Sequence, residues 1–367
     1  MSPLRRKYDV PLLIITGLLA VVGFFVFLSA TFSIFPSDKE LFIHIVLRQA
    51  ILGLGGGVLA GYFCYKIPAR IWQKYALPLF LVSLGVTALV FIPSLAQTHG
   101  GATRWISLGF LSFQPAEFLK VGAIIYMAAW YTYAGEKVST IRYGLIPLLL
   151  ILGATGALLL AQPDTGTFLV IAMSITALYF LSNAKWKHLG ILFILGLLAF
   201  IMLLIARPYV FDRFQTFLNP DHDPLGSSYQ IRQSLIALGS GQLFGRGYGQ
   251  SVQKFGYLPE PTGDSIFAVA GEELGFIGST TIVFLYILFA LRGFWLTKHI
   301  TNRFARLLVT GLVILILVQA FTNIASIMNI IPLTGLPLPF MSHGGTALLM
   351  SLATTGIILG LSSNYKR

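Results

Sequence analysis

Cysteine is all but missing from this chain of 367 residues: Cys64 stands alone, which excludes an internal disulfide and a cysteine-rich metal site. Charge is scarce too. Only 10% of residues are Asp, Glu, Lys or Arg and 56% are hydrophobic, where a soluble globular protein carries about 25% charged residues. The mean hydropathy of +0.81 therefore reads as an integral membrane protein. The formal charge of +12 would suit nucleic acid, but no basic run or basic amphipathic helix is present, and nucleic acid is excluded as a partner. A cleavable signal peptide is not expected, because Arg5, Arg6 and Lys7 precede an apolar run too long for one. Nor is there a visible internal repeat, so the inverted-repeat plan of many secondary transporters finds no support.

What is present is a series of apolar runs of roughly 18 to 25 residues, the length that spans a bilayer as helix. They predict an all-α polytopic protein of about ten transmembrane helices, near 10–35, 41–65, 76–96, 113–133, 143–162, 166–183, 188–206, 266–292, 304–327 and 343–363. Residues 1–367 read as a single transmembrane domain with one long extracytoplasmic loop, 207–263. With both termini cytoplasmic, sixteen of the 25 Lys and Arg residues fall in inner segments, while the short outer loops hold only Lys39 and Arg104. That asymmetry sets the even helix count and the orientation.

Ionisable groups are costly in a membrane and mark function there. Leu258-Pro-Glu-Pro-Thr-Gly-Asp264-Ser-Ile-Phe-Ala-Val-Ala-Gly-Glu272-Glu273-Leu-Gly275 places Asp264 where a polar loop enters an apolar helix. Asp264 can serve as a helix N-cap or as a general base, and the two roles are compatible. Glu272 and Glu273 lie about 100° apart around a helix and cannot both face Asp264. At least one packs structurally or caps another element, or else 264–273 is a short outer helix and the span begins near Leu274. Arg48, Arg104 and Lys120 are all assigned to the outer half, and an unpaired cation in lipid costs roughly 3 kcal/mol or more. A cavity for an anion such as a pyrophosphate would relieve this. Glu117 and Lys120, three apart on one helix face, could instead neutralise each other. Pro115, after Gln114, marks the start of their helix.

Asp164 reads as an ordinary turn residue, and His343 as a hydrogen-bonded helix-start residue. The proline- and glycine-rich stretch 333–345 predicts broken backbone that lines protein or a wet cavity. In the long loop, the run Gly239 to Gly249 can turn tightly and let a ligand approach its backbone, and Gln230, Lys254 and Glu260 add polar groups.

Together these stretches resemble the SEDS family (shape, elongation, division and sporulation proteins). The matching motifs are Gly101-Ala-Thr-Arg104-Trp105, Gln114-Pro-Ala-Glu117-Phe-Leu-Lys120, Gln162-Pro-Asp-Thr-Gly166, Ser228-Tyr-Gln230, Leu258 through Asp264 to Gly275, and Thr334 through Ser342-His-Gly-Gly345. They run in the family order across almost the whole chain. The resemblance implies a peptidoglycan glycosyltransferase that polymerises lipid II into glycan strands on the outer face of the bacterial cytoplasmic membrane. It implies Asp264 as the essential acid, and Arg48, Arg104 and Lys120 as cavity cations with Glu117 beside them. Gln114, Gln230, Lys254 and Ser342 complete the expected substrate-binding set. The expected partners are lipid II, undecaprenyl-pyrophosphate-linked glycan, membrane lipid and a class B penicillin-binding protein. A divalent cation, Mg or Mn, is expected at Asp264 and Glu260.

This chain departs from the family at two places. Thr262-Gly263-Asp264-Ser265 stands where His-Thr-Asp-Phe is common, and Ser342-His343 where Ser-Tyr is usual. The surrounding Gly-Glu-Glu-Leu-Gly and Pro-Leu-Pro-Phe lean toward the division branch. Two other readings are a flippase for the lipid-linked precursor and a non-catalytic scaffold for a penicillin-binding protein. A flippase needs polar groups along a route to both faces, whereas the intramembrane charges cluster toward the outer side.

Overall fold

The structure is a computed structural model that describes residues 8–34, 38–99, 102–108, 111–219, 226 and 228–363. Arg5 to Lys7, Gly101, Asp221 to Asp223 and the two C-terminal cations of the sequence reading lie outside these residues. Each predicted apolar segment contains a helix, with ends within a few residues of those expected except in the third, which stops at Ala88 with a 3-10 turn to Phe91 and gives way to a strand at Ala96. In chain order these are α1 (Val10–Ile34), α2 (Lys39–Arg48), a π-helical turn Gln49–Gly55 and α3 (Gly56–Lys66), then α4 (Ala69–Lys74), α5 (Ala76–Ala88) and α6 (Pro115–Ala134). There follow α7 (Ile146–Ala161), α8 (Thr165–Leu181), α9 (Lys187–Ala206), α10 (Pro208–Leu218), α11 (Tyr229–Ser240), α12 (Ile266–Thr297), α13 (Arg303–Ile327) and α14 (Gly345–Ser362).

Among the described residues, seven helices are long and apolar enough to cross a membrane, with α2, the π turn and α3 counted as one rod, Lys39–Lys66. Ala76–Phe91 and Thr165–Leu181 are apolar but shorter. The tenth expected segment, α6, has 20 residues and carries Glu117 and Lys120 near its start. Local chemistry sets the ends. Pro115 occupies the first turn of α6, where its missing N–H costs nothing. Asp164 caps α8 by accepting from Thr167 N (3.2 Å), the turn role read from its sequence context. Helix α13 is apolar on all sides and buried along most of its length, as a central helix must be. By contrast, only His188 of α9 is buried.

One element corrects the all-α expectation. Three strands, β1 (Ala96–His99), β2 (Ala102–Leu108) and β3 (Leu111–Phe113), form an antiparallel sheet in that order. Thr103, Trp105 and Ile106 are strand formers, and the segment is too short and polar to span. The sheet carries Arg104.

The glycine-rich run turns out to serve the backbone of α12 rather than a ligand. Gly275 adopts φ 68°, ψ −167°, which breaks the helix one residue past Leu274. The alternative of a short helix ahead of the span is thus the one realised. Segment 241–247 fills the break: Phe276 N donates to Gln242 O (2.8 Å) and Ile277 N to Leu243 O (3.1 Å), while Arg246 N donates to Glu272 O (2.9 Å) and Gly247 N to Glu273 O (3.1 Å). A Cβ on Gly245, whose φ is +81°, would lie 2.1 Å from Glu273 O. Gly245→Ala should therefore lower the thermal midpoint of the purified protein, at a cost above about 1 kcal/mol. Gly239→Ala, inside α11 with nothing within 4 Å, should leave the midpoint unchanged or raise it; equal behaviour of the two variants would contradict this packing.

The broken stretch between α13 and α14 is buried, as predicted, and its carbonyls are satisfied from side chains. Asn323 Nδ2 donates to Leu336 O (2.7 Å), Gln319 Nε2 to Pro337 O (2.9 Å), Tyr286 to Pro339 O, and Arg213 Nη1 to Leu333 O (3.1 Å). Irregular backbone at membrane depth persists only under such conditions.

Candidate active site

Asp264 stands one residue before the Ser265 cap of α12, and its carboxylate caps nothing. The capping role allowed by the sequence is not used. Instead Gln230 Nε2, from α11, donates to Asp264 Oδ1 and to Ser265 Oγ, both at 3.0 Å. Asn323 Nδ2, from α13, donates to Asp264 O (2.8 Å). Ser342 Oγ donates to the neighbouring Gly263 O (2.7 Å), and His343 N to Thr262 O (2.6 Å). Gln230 of α11 thus holds the carboxylate through Oδ1, while α13 and the loop before α14 hold the backbone around it. Burial, and then the adjacent Glu260 carboxylate, push Asp264 up from the ordinary carboxylate range to about 6, against the pull of Arg213 and the Gln230 hydrogen bond. An acid poised there can both hold and release a proton near neutral pH.

Arg213, on α10, is the functional candidate that sequence reasoning missed. A methyl group on Gly335 would lie 3.6 Å from Arg213 Nη2 and 3.8 Å from Asp264 Oδ2, so cation and acid flank one point. Burial and the Arg104 guanidinium hold Arg213 below its ordinary value, opposed by Asp264, Tyr209 and Asp164. Arg104, Arg213, Asp164 and Asp264 therefore share one field. Arg104 Nη1 lies 3.9 Å from Asp164 Oδ1, and Nη2 donates to Pro163 O. Arg104 Nε and the Tyr209 hydroxyl are buried with no hydrogen-bond partner among the described residues. Buried donors left unpaired call for an explanation, and an anionic ligand would supply their acceptors. Arg48 approaches from another side. Its Nη2 donates to Ser112 Oγ (2.6 Å), and the ring of the exposed His343 stacks on Phe27 at 5.5 Å.

Other expected site residues are engaged elsewhere. Lys120 is buried, and its Nζ donates to Glu117 Oε1 (2.7 Å) and Gln319 Oε1 (2.5 Å). The pair neutralises itself beside a cavity of ≈ 20 Å³, room for about one water, so Lys120 and Glu117 do not form an open anion cavity. Gln319 and Asn323, one turn apart on α13, connect this pair to the backbone that holds Asp264.

Lys254 corrects the reading more sharply. It is fully buried, and its three donors go to Glu273 Oε1 (2.6 Å), Ser29 Oγ (2.6 Å) and Gly249 O (3.0 Å), leaving none for a substrate. Ser342 is likewise buried, donating to Gly263 O and accepting from Leu338 N (2.7 Å), so it positions the loop. Gln114 is buried at the start of α6, its N donating to Thr346 Oγ1 (3.3 Å). Glu272 accepts from Ser251 Oγ (2.6 Å), Val252 N (3.0 Å) and Gln253 N (3.2 Å). Both glutamates are structural, and neither faces Asp264.

Against known proteins, the family model described as "Cell cycle protein", FTSW_RODA_SPOVE, matches residues 10–367. The chain belongs to the FtsW/RodA/SpoVE family. It is 35% identical over 369 residues to stage V sporulation protein E of Bacillus subtilis, covering 100% of both chains. It is 34% identical to the probable peptidoglycan glycosyltransferase FtsW of Allochromatium vinosum, covering 99% of this chain and 92% of that one. The fold matches a chain from the structure of a peptidoglycan synthase complex with a TM-score of 0.79 at 27% identity, over 97% and 98% of the two chains. Thermus thermophilus RodA matches with a TM-score of 0.70 at 26% identity over 100% of both. The FtsW/RodA/SpoVE fold therefore holds across the whole chain, as a multi-pass membrane protein.

Proposed function

We propose that this chain is a peptidoglycan glycosyltransferase that polymerises lipid II, with Asp264 as general base. The observation that carries the reading is an acid with a raised pKa, held by Gln230 through one oxygen and facing Arg213 and the unpaired donors of Arg104 and Tyr209. Asp264 takes the proton from the 4-hydroxyl of the acceptor sugar as that oxygen attacks the anomeric carbon of the donor strand. The bond to undecaprenyl pyrophosphate breaks with inversion, and the leaving pyrophosphate carries away the bonding pair. Arg213 and Arg104, held by Leu333 O and Pro163 O, stand where that charge develops. Preorganised cations stabilise a transition state more than a ground state. Arg48 extends the same positive surface.

Asp264 and Glu260 suit a divalent cation only in part: Glu260 is exposed beside the acid, and no group of three or more His, Cys, Asp or Glu occurs among the described residues. Such an ion would keep waters and take substrate phosphate oxygens, as magnesium commonly does. It would supply further charge neutralisation at the pyrophosphate.

Orientation follows from the cations. Lys66, Arg70, Lys74, Lys137, Arg142, Lys185, Lys187, Lys298 and Arg303 stand at helix ends away from Asp264, and this excess of cations supports the reading that their end is cytoplasmic and the site outside. The reading of ten crossings with both termini inside is in keeping with this asymmetry. A crosslinking partner, a class B penicillin-binding protein, is in keeping with the likeness to a chain of a complex that coordinates polymerization and crosslinking.

The pH profile tests the base. Asp264 must be ionised to accept a proton, so turnover should rise with pH through a midpoint near about 6 and level off above it. Glu260 raises Asp264, so Glu260→Gln should move the limb to lower pH; Arg213 lowers it, so Arg213→Gln should move the limb to higher pH as well as reduce the plateau. A limb unmoved by both substitutions would assign the titration to another group.

A further inference from the structure

Away from Asp264, α1 and the part of α12 beyond the Gly275 break diverge around a cleft of ≈ 430 Å³. Pockets of this size accept small amphipathic molecules. Its walls are almost wholly apolar: Val22 of α1, Leu274, Ile277, Ile282 and Leu285 of α12, and Phe244 of the glycine-rich loop. The cleft follows α12 for about 15 Å from the break to Leu285, at 1.5 Å per residue. Exposed Phe244, Tyr248 and Ile277 mark its open side, and the flanking helices are both membrane-spanning segments, so the medium it opens to is lipid.

One group in the wall is out of keeping with the rest. Glu273 lines the cleft and is 1% exposed. Its Oε1 takes Lys254 and Ser29, whereas its Oε2 is buried with no hydrogen-bond partner among the described residues. A carboxylate oxygen left bare in an apolar setting is expensive, and the fold offers it no donor. We propose that this cleft is a specific site for one membrane phospholipid, whose alkyl chain lies along α12 and whose head group donates an N–H or O–H to Glu273 Oε2. The acid sits at the end of the cleft nearest the break, so head and chain have a defined direction. With Lys254 balancing Glu273, and Arg246 3.3 Å from Glu272, the neighbourhood has no excess charge to attract an anion. The donor, rather than the head group's net charge, is what the site recognises. This site is independent of the glycosyltransferase reading, because its occupancy can be read without turnover.

The test is native mass spectrometry of the purified full chain, delipidated and then exposed to phosphatidylethanolamine, phosphatidylglycerol or phosphatidylcholine with identical acyl chains. The first two carry donor head groups and the third does not. Retention of one lipid should be favoured about tenfold for both donors over phosphatidylcholine, the scale of one hydrogen bond to a charged group. Thr281→Trp, which fills the cleft from α12, should abolish that retained lipid without changing the thermal midpoint by more than a few degrees. Val22→Phe on the opposite wall should do the same if Thr281→Trp fails to fold. Equal retention of all three lipids, or of none, would overturn the proposal: the first means acyl filling alone, and the second a cleft reserved for a partner's helix.

Discussion

Asp264→Asn is expected to abolish glycan polymerisation without loosening the fold. The substitution keeps the shape and an oxygen to accept from Gln230 Nε2, now at 3.0 Å, and removes only the ability to take a proton. General-base removal costs about 10²–10⁴-fold in turnover, and at the upper end no polymer would accumulate. The thermal midpoint at pH 7 should not fall. Burial raises Asp264 to about 6, so ionisation is less favourable in the folded chain than in the unfolded one. Above that pH the charged acid subtracts from stability, and the neutral amide relieves it. Loss of activity together with a collapsed midpoint would mean that Asp264 holds the loop instead of the proton. Full retention of activity would remove it from the chemistry.

Lys254→Met is expected to have the largest effect on stability. It strands the Glu273 carboxylate in the interior with only the Ser29 hydroxyl, 2.6 Å away, as donor. Breaking a buried pair from one side costs about 3–5 kcal/mol. Lys254→Met combined with Glu273→Gln should recover most of that loss, because replacing both charges leaves no unpaired ion behind. Thermal unfolding of the single and double variants measures the coupling. Activity per folded molecule should stay near the wild-type value in the double variant. A stable Lys254→Met protein with weakened lipid II binding would restore the substrate-contact role that the sequence suggested.

The contrast between these two residues shows where sequence is legible. Apolar runs of spanning length set the helices because lipid leaves the backbone no other choice, and Pro115 and Asp164 fix helix starts by local chemistry. Asp264 stands out because an acid at an apolar boundary has few structural uses. Glu117 and Lys120 were visible as a possible pair because three residues of helix bring them to one face; Gln319, which completes their set, comes from another helix and gave no sign. Lys254 looked available because its partners, Glu273 and Ser29, lie 19 and 225 residues away. Arg213 was hidden for the same reason: its neighbours Leu333 and Asp264 reach it only through tertiary folding. The Gly239 to Gly249 run announced a close backbone approach correctly, but the chain that approaches is the broken α12. The small sheet of β1, β2 and β3 is not legible in the sequence, because its strands are shorter than any span and carry little periodicity.

The most direct measurement incubates the purified protein, in detergent and in sealed vesicles, with labelled lipid II, and separates the products by gel. A base facing a cluster of guanidinium groups should yield a ladder of glycan strands, weakened when Arg213 is replaced and absent with Asp264→Asn. Monomer carried across the vesicle wall without a ladder, or a ladder indifferent to Asp264, would contradict the account.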